Sequence, residues 1–167
     1  MDLALLILRL TVGLLVAGHG AQKLFGWFGG LGLKTTVGWL ASHGYRPARF
    51  WAVLGCVMEV GGGVLFALGL ASPLGALGIS AAMLTAISLH WPKIWATESG
   101  FEYALVNLSV AVAVGIAGPG AFSLDAVYGI ALPQGTFPAG AILVILGWLV
   151  LLVTRAPAAA GGPQQTT

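Results

Sequence analysis

Charge is what this sequence most conspicuously lacks. Lys, Arg, Asp and Glu together make up 7% of 167 residues, against 58% hydrophobic residues. A soluble domain carries roughly 25% charged residues, and a surface this poor in charge is not one that water wets. With a mean hydropathy of +0.97, the solvent for most of the chain is expected to be lipid. A formal net charge of +2 is too small to point to nucleic acid. Cysteine is nearly absent too. Cys56 is the only one, which excludes an internal disulfide and any C-x-x-C couple, and it reads most simply as a small buried apolar residue. Met1-Asp2-Leu3 lacks the basic start of a cleaved signal peptide, so the first helix is expected to be retained. No Rossmann fingerprint, P-loop or serine nucleophile elbow is present.

What is there is a series of apolar runs. Spans are expected over residues of about 3–22, 51–70, 73–91, 101–117 and 138–154. The last, of about 16 residues, is at the short limit for a crossing. Residues 25–50 are too polar and too rich in glycine to span. Leu33, Val37 and Leu40 recur there at helical spacing, which predicts a short amphipathic helix at the interface. Trp27, Trp39 and Trp51 suit an aromatic belt. Ser72 and Pro73 read as an N-cap and first helical residue, and Ser123 as the cap of a short helix carrying Asp125. Residues 155–167 read as a disordered tail. The fold class is therefore all-α and membrane-embedded. A four-helix transmembrane core is followed by a fifth, C-terminal span, and the interfacial helix lies in the first loop. Five spans place Lys23, Lys34, Arg46, Arg49, Lys93 and Arg155 on one side and leave the opposite loops without Lys or Arg. The positive-inside rule then sets the N-terminus out and the C-terminus in, in a bacterial-type inner membrane.

The few polar residues inside the spans are the candidate site, because such groups are costly in hydrocarbon unless paired, protonated or wet. His19, Gln22 and Lys23 stand at i, i+3 and i+4 and share one helix face. Glu59 lies near the middle of the second span, ahead of Gly61-Gly-Gly63. His90 ends the third span, Glu102 opens the fourth, and Asn107 is expected to bond to a neighbouring helix. Arg9 should face protein or water. On this topology His19, Gln22, Lys23, Glu59, His90 and Glu102 converge toward one end of the bundle and are the candidate ligand-binding residues. Arg9, Asn107 and Asp125 are structural polar positions.

Three readings fit that convergence. In a purely structural one, Lys23 pairs with Glu102, and Glu59 bonds to His19, Thr85 or Ser88. In a second, the group lines a pocket for a quinone headgroup or a small acid, where His and Glu could pass protons. A third uses His19 and His90 for a metal or haem, but no H-x-x-x-H or H-x-x-E-H spacing supports it, and no metal residues are assigned. A solute carrier would want inverted repeats, and none is evident.

These residues also carry a resemblance. Arg9-Leu-x-x-Gly13, Gly18-His-Gly-x-Gln-Lys-Leu-Phe-Gly26, Glu59-x-Gly-Gly62, Leu68-Gly-Leu-x-x-Pro73, Glu102-Tyr and Gly118-Pro-Gly-x-x-Ser-Leu-Asp125 together resemble the DoxX family of integral membrane proteins. The likeness spans roughly residues 5–128. It implies a four-helix membrane core and an association with oxidoreductases and quinone chemistry, with Arg9, Lys23, Glu59, Glu102 and Asp125 as the polar signature positions. It implies no catalytic residue. Two expectations follow: a redox-associated membrane subunit, possible oxidoreductase subunit included, with a quinone-binding pocket; or a non-catalytic scaffold or assembly partner. Besides the bilayer, a redox protein or a second copy would be the partner.

Overall fold

The computed structural model describes residues 1–156; most of the expected disordered tail, 157–167, lies outside the described residues. Seven α-helices follow one another: α1 (Asp2–Phe25), α2 (Gly32–Ser42), α3 (Ala48–Leu68), α4 (Ser72–His90), α5 (Glu102–Ala117), α6 (Leu124–Tyr128) and α7 (Thr136–Thr154). Short 3-10 turns sit at Trp27–Gly29 and Ala96–Glu98. Among the described residues there is no strand. Helices α1, α3, α4 and α7 are long and apolar enough to cross a membrane. Helix α5 is apolar but has 16 residues, about 24 Å. It is thus the shortest of the five expected spans, whereas α7, expected to be marginal, runs to 19 residues.

The core is a four-helix bundle. Helix α1 packs on α3, α3 on α4, α4 on α5, and α5 closes back on α1. Val12, Val16, Phe66, Ala76, Ile79, Met83, Ala111 and Val114 fill its centre. Between helices in lipid the driving force is close van der Waals contact, so small residues decide where backbones meet. The seven-residue spacing of Gly13 and Gly20 is the seam with α3. A Cβ on Gly13 would lie 2.6 Å from the Gly63 carbonyl oxygen, and one on Gly20 2.7 Å from the Glu59 Cβ. The triplet Gly61-Gly-Gly63 serves three directions, since successive helical residues turn by about 100°. Gly63 meets α1 at Gly13 and Ala17, Gly62 meets α4 at Gly78 and Ile79, and Gly61 faces open space.

One end of the bundle is tied by polar contacts to backbone. Asp125 accepts from the Ala71 N–H at 2.7 Å, the Ser72 N–H at 2.9 Å and the Ser72 hydroxyl at 2.7 Å. Ser72 is therefore not the cap that its sequence position predicts. Ala71, with φ of 45°, is the N-cap residue, and the carboxylate of a remote helix satisfies the free N–H groups at the start of α4. Ser123 does cap α6, accepting from the Ala126 N–H at 3.1 Å. Arg9 is fully buried and donates to the Phe122 carbonyl. Its guanidinium fills the space a side chain at Gly69 would need, and the Asp125 charge acts on it from nearby. Asp2 accepts from the Ala121 N–H at 2.9 Å.

The other end collects the remaining six basic residues. After Gly26, in the left-handed region at φ 76°, the chain doubles back over the last turn of α1, and Gly30 lies against the Gln22 backbone. The amphipathic helix forms where expected, as α2, and packs across α1 and α3. Thr36 pins it by donating to the Lys23 carbonyl at 3.2 Å. Leu40, Tyr45, Ala52 and Leu151 form a small second cluster, with Leu33 and Val37 packed on it. Helix α7 lies outside the four-helix core, against α4. It returns to the basic end, where Arg155 donates to the His43 carbonyl at 2.7 Å and stacks over the Tyr45 ring at 5.3 Å. Arg155 and Ala156, expected to begin the tail, are therefore docked; Ala156 donates to the Gly44 carbonyl at 3.0 Å.

Candidate functional site

A buried ion pair is the centre of the site. Lys23 in the last turn of α1 donates to Glu59 Oε1 at 2.7 Å. Among the described residues it is the one salt bridge. Glu59 is 3% exposed, covered by α1 because Gly20 lets that helix approach its Cβ. The Lys23 side chain keeps 35% of its exposure. The expected face of α1 is present. His19 shares a hydrogen bond with Gln22 at 3.2 Å, and Gln22 donates to the Phe28 carbonyl at 3.2 Å. The His19 ring also meets the Tyr103 ring edge-on, 6.1 Å between centroids.

The pairings of the structural reading differ from those observed. Lys23 takes Glu59, not Glu102. The buried positions of α5 are Ala104, Asn107, Ala111 and Val114, and Glu102 is about 200° round the helix from Ala104. Thr85 and Ser88 donate to carbonyls of their own helix, Ala81 and Thr85, at 3.0 and 2.8 Å, as such hydroxyls commonly do. Among the described residues Asn107 likewise makes no interhelical bond; it donates to the Tyr103 carbonyl of its own helix at 2.9 Å.

The ion pair opens on a cavity of about 1450 Å³. His19, Gln22, Lys23, Glu59 and His90 line it; Glu102 does not. From the polar end the space continues as an apolar groove over α4, with α3 on one side and α7 on the other. Leu54, Met58 and Leu65 of α3, Leu77 and Ala81 of α4, and Leu143 and Val144 of α7 form its walls. A Cβ at Gly55, Gly61 or Gly147 would meet no other atom within 4 Å, so these three glycines widen the groove. Leu74 and Leu143, both exposed, mark where it reaches the outer surface.

Among the described residues, three residues of this lining carry a buried polar atom without a hydrogen-bond partner: Glu59 at Oε2, Tyr45 at Oη and Trp148 at Nε1. Buried polar atoms are seldom left so. Tyr45 lies in the connector between α2 and α3, where burial pushes its phenol up against the lowering influence of Arg155. Sequence reasoning missed Tyr45, Tyr103 and Trp148. Tyr103 directly follows Glu102 and precedes the buried stripe of α5, so helical phase could have favoured it over Glu102. Tyr45 and Trp148 carried no such signal, because they meet only through the docking of α7. Among the described residues no three His, Cys, Asp or Glu side chains converge as a metal site would require. His90 lines the cavity without a hydrogen bond, and Cys56 is buried one turn before Glu59.

Comparison with known proteins adds a family but no characterised relative. No curated protein and no solved structure matches the chain. The DoxX family profile matches residues 4–91, that is α1 to the end of α4, including both partners of the ion pair as well as His19 and His90. The chain, an all-helical membrane protein, belongs to the DoxX family.

Proposed function

We propose that this DoxX protein binds an amphiphilic, quinone-like molecule, with its head beside the Lys23–Glu59 pair and its tail in the groove between α3 and α7, and serves a redox partner in the membrane. One observation carries this: the Lys23–Glu59 charge pair stands on the lining of a single, otherwise largely apolar cavity of about 1450 Å³. A ligand pocket of this kind is expected to be mostly apolar with a few placed polar groups. Its size exceeds the usual 300–1,000 Å³ or so of a small-ligand pocket, which leaves room for a tail. The protein's contribution is to bind and orient. The Lys23 ammonium and Glu59 carboxylate present a donor and an acceptor side by side, His19 and His90 stand on the same lining as further polar groups, and apolar walls keep water from the tail. A quinone would supply the redox chemistry when bound.

The gathering of Lys23, Lys34, Arg46, Arg49, Lys93 and Arg155 at one end supports an orientation with that end in the cytoplasm of a bacterial-type cell, N-terminus out. The head would then lie toward the inner leaflet.

The test is extraction of the full chain with its native lipids, followed by identification of bound isoprenoid and lipid species by mass spectrometry. Gly61→Phe and Gly147→Phe place a ring in the groove where no backbone clash arises. Both are expected to keep the fold and lose the bound molecule. Equal ligand content in wild type and both variants would remove the cavity from the account. A cavity free of amphiphile in the native extract, together with a co-purifying subunit, would favour the scaffold reading instead.

A further inference from the structure

The corner where α3 begins carries charge that the protein does not use. Arg46 stands just before α3 and Arg49 in its first turn, both exposed. Among the described residues neither guanidinium meets a carboxylate, since the Lys23–Glu59 pair is the one salt bridge. Of the five acidic residues, Asp2 and Asp125 are spent on backbone N–H groups at the capped end, and Glu59 holds Lys23. Glu98 and Glu102 lie just before α5 and at its start, and α5 stands diagonally across the bundle from α3. The Trp51 Nε1 donates to the Arg46 carbonyl at 3.3 Å, and the Trp51 ring meets Phe50 edge-on, 5.0 Å between centroids. The corner is thus aromatic as well as basic, as suits the headgroup level of a bilayer.

Below the arginines the outer face of α3 is apolar. Arg49, Phe50, Val53, Leu54 and Val57 line a furrow of about 490 Å³. Arg49, Val53 and Val57 recur at steps of four, so they share one helix face, and the furrow runs roughly 12 Å along the axis. Exposed Val64 and Leu68 continue that face toward the capped end. Unpaired cations above a lipid-facing apolar lane match one kind of molecule that a membrane supplies. We propose that this corner binds an anionic phospholipid, with its phosphate on Arg46 and Arg49 and an acyl chain along the furrow. The guanidinium fork suits phosphate oxygens. A zwitterionic head brings its own ammonium to a corner that already holds two unpaired cations, so an anionic head is selected. A free phosphate would leave the furrow unused.

Native mass spectrometry of the delipidated full-length protein in detergent, titrated with phosphatidylglycerol or with phosphatidylcholine of the same chains, gives the affinity of the first lipid bound. Wild type is expected to prefer phosphatidylglycerol by about 25-fold, roughly fivefold for each arginine. Arg46→Gln and Arg49→Gln, both at exposed positions that the fold does not depend on, should each cut the preference to about fivefold, and the double variant should abolish it. Lys93→Gln removes a cation at the same end of the bundle but on the α4–α5 connector, and should change nothing. Equal wild-type affinities for the two lipids would overturn the site. So would an equal drop in Lys93→Gln, which would mean diffuse attraction to a basic surface. Phe50, Leu54 and Val57 also line the large cavity, so Gly147→Phe, which fills that cavity from α7, is the second control. It should leave the preference intact, and its loss there would put the lipid in the cavity instead. Displacement of phosphatidylglycerol by excess inorganic phosphate would overturn the part given to the acyl chain.

Discussion

Lys23→Met should be the most damaging single change at the site, and more damaging than Glu59→Gln. At 2.7 Å and an effective dielectric near 20, the attraction between the two charges is about 6 kcal/mol. Most of that is offset by the cost of taking both out of water, so the pair is not a large net stabiliser. Removing one partner is a different matter. Without Lys23 a carboxylate 3% exposed has no counter-charge, and losses of about 3–5 kcal/mol are typical. Because Lys23 is itself 35% exposed, water already screens part of the interaction, which puts the expected loss near the low end, about 3 kcal/mol. Glu59→Gln leaves instead a lysine that can turn its ammonium outward, with a loss of about 1–2 kcal/mol. The double variant should be no worse than Lys23→Met alone, giving a coupling of about 1–2 kcal/mol. Reversible unfolding in mixed micelles, titrated with SDS, measures all four states. Losses that add to within about 0.5 kcal/mol, or Glu59→Gln costing more than Lys23→Met, would refute the pairing.

Within the glycine triplet, Gly63→Ala should destabilise by about 1–3 kcal/mol through overpacking, because its Cβ would sit 2.6 Å from the Gly13 carbonyl oxygen. Gly61→Ala, which faces open space, should be neutral or stabilising by up to about 1 kcal/mol from helix propensity; thermal unfolding of the two side by side checks this. Asp125→Asn replaces one of the two accepting oxygens that hold Ala71 and Ser72 and should cost about 1–3 kcal/mol, read as a lowered Tm. Burial raises the Tyr45 phenol above its ordinary 10.0, so the fold favours the neutral form. That stabilisation is complete below the ordinary value and is lost as pH rises through the raised one. Tyr45→Phe should lie within about 1 kcal/mol of wild type at neutral pH, where the hydroxyl offers at most one weak bond to Ser88, and should lose less stability above about pH 10.

The helices were legible because lipid imposes a long apolar run on every crossing, and each run is punctuated by glycine or proline: Gly26 after α1, Gly69 after α3, Pro73 in the first turn of α4, Gly118 after α5. The seam was legible in Gly13 and Gly20 for the same reason that makes it a seam, since only small residues permit that approach. The list of site residues was half legible. Position along a helix gives depth, and depth brought Lys23, Glu59, His19 and His90 to one end. Depth does not give direction, and direction is what separates Glu102 from Tyr103 and assigns Lys23 to Glu59. The cap of α4 was read as local, from Ser72, when the acceptor comes from Asp125, 53 residues on. The groove was not legible at all, because it is a space between α3 and α7 that exists only once both lean on α4.

The two ends of the bundle differ in what lies beside their polar groups, packed backbone at one and a cavity at the other, and this separates architecture from function. At the capped end the side chains bond mainly to backbone: Asp2 to Ala121, Arg9 to Phe122, Asp125 to Ala71 and Ser72. Backbone partners are fixed by the helices that carry them, so this end has little freedom to admit anything. At the basic end Gln22, Thr36 and Arg155 also bond to backbone carbonyls, but the Lys23–Glu59 pair reaches between two helices through side chains alone and stands on the lining of the cavity. Fold-securing and ligand-selecting roles should therefore come apart under mutation. Asp125→Asn should lower the Tm and leave the content of bound amphiphile per folded protein unchanged, whereas Gly61→Phe should lose the bound amphiphile at little cost in Tm. A loss of bound amphiphile on altering Asp125 would mean that the two ends are mechanically coupled along α4, whose N-terminus Asp125 holds and whose C-terminus carries His90.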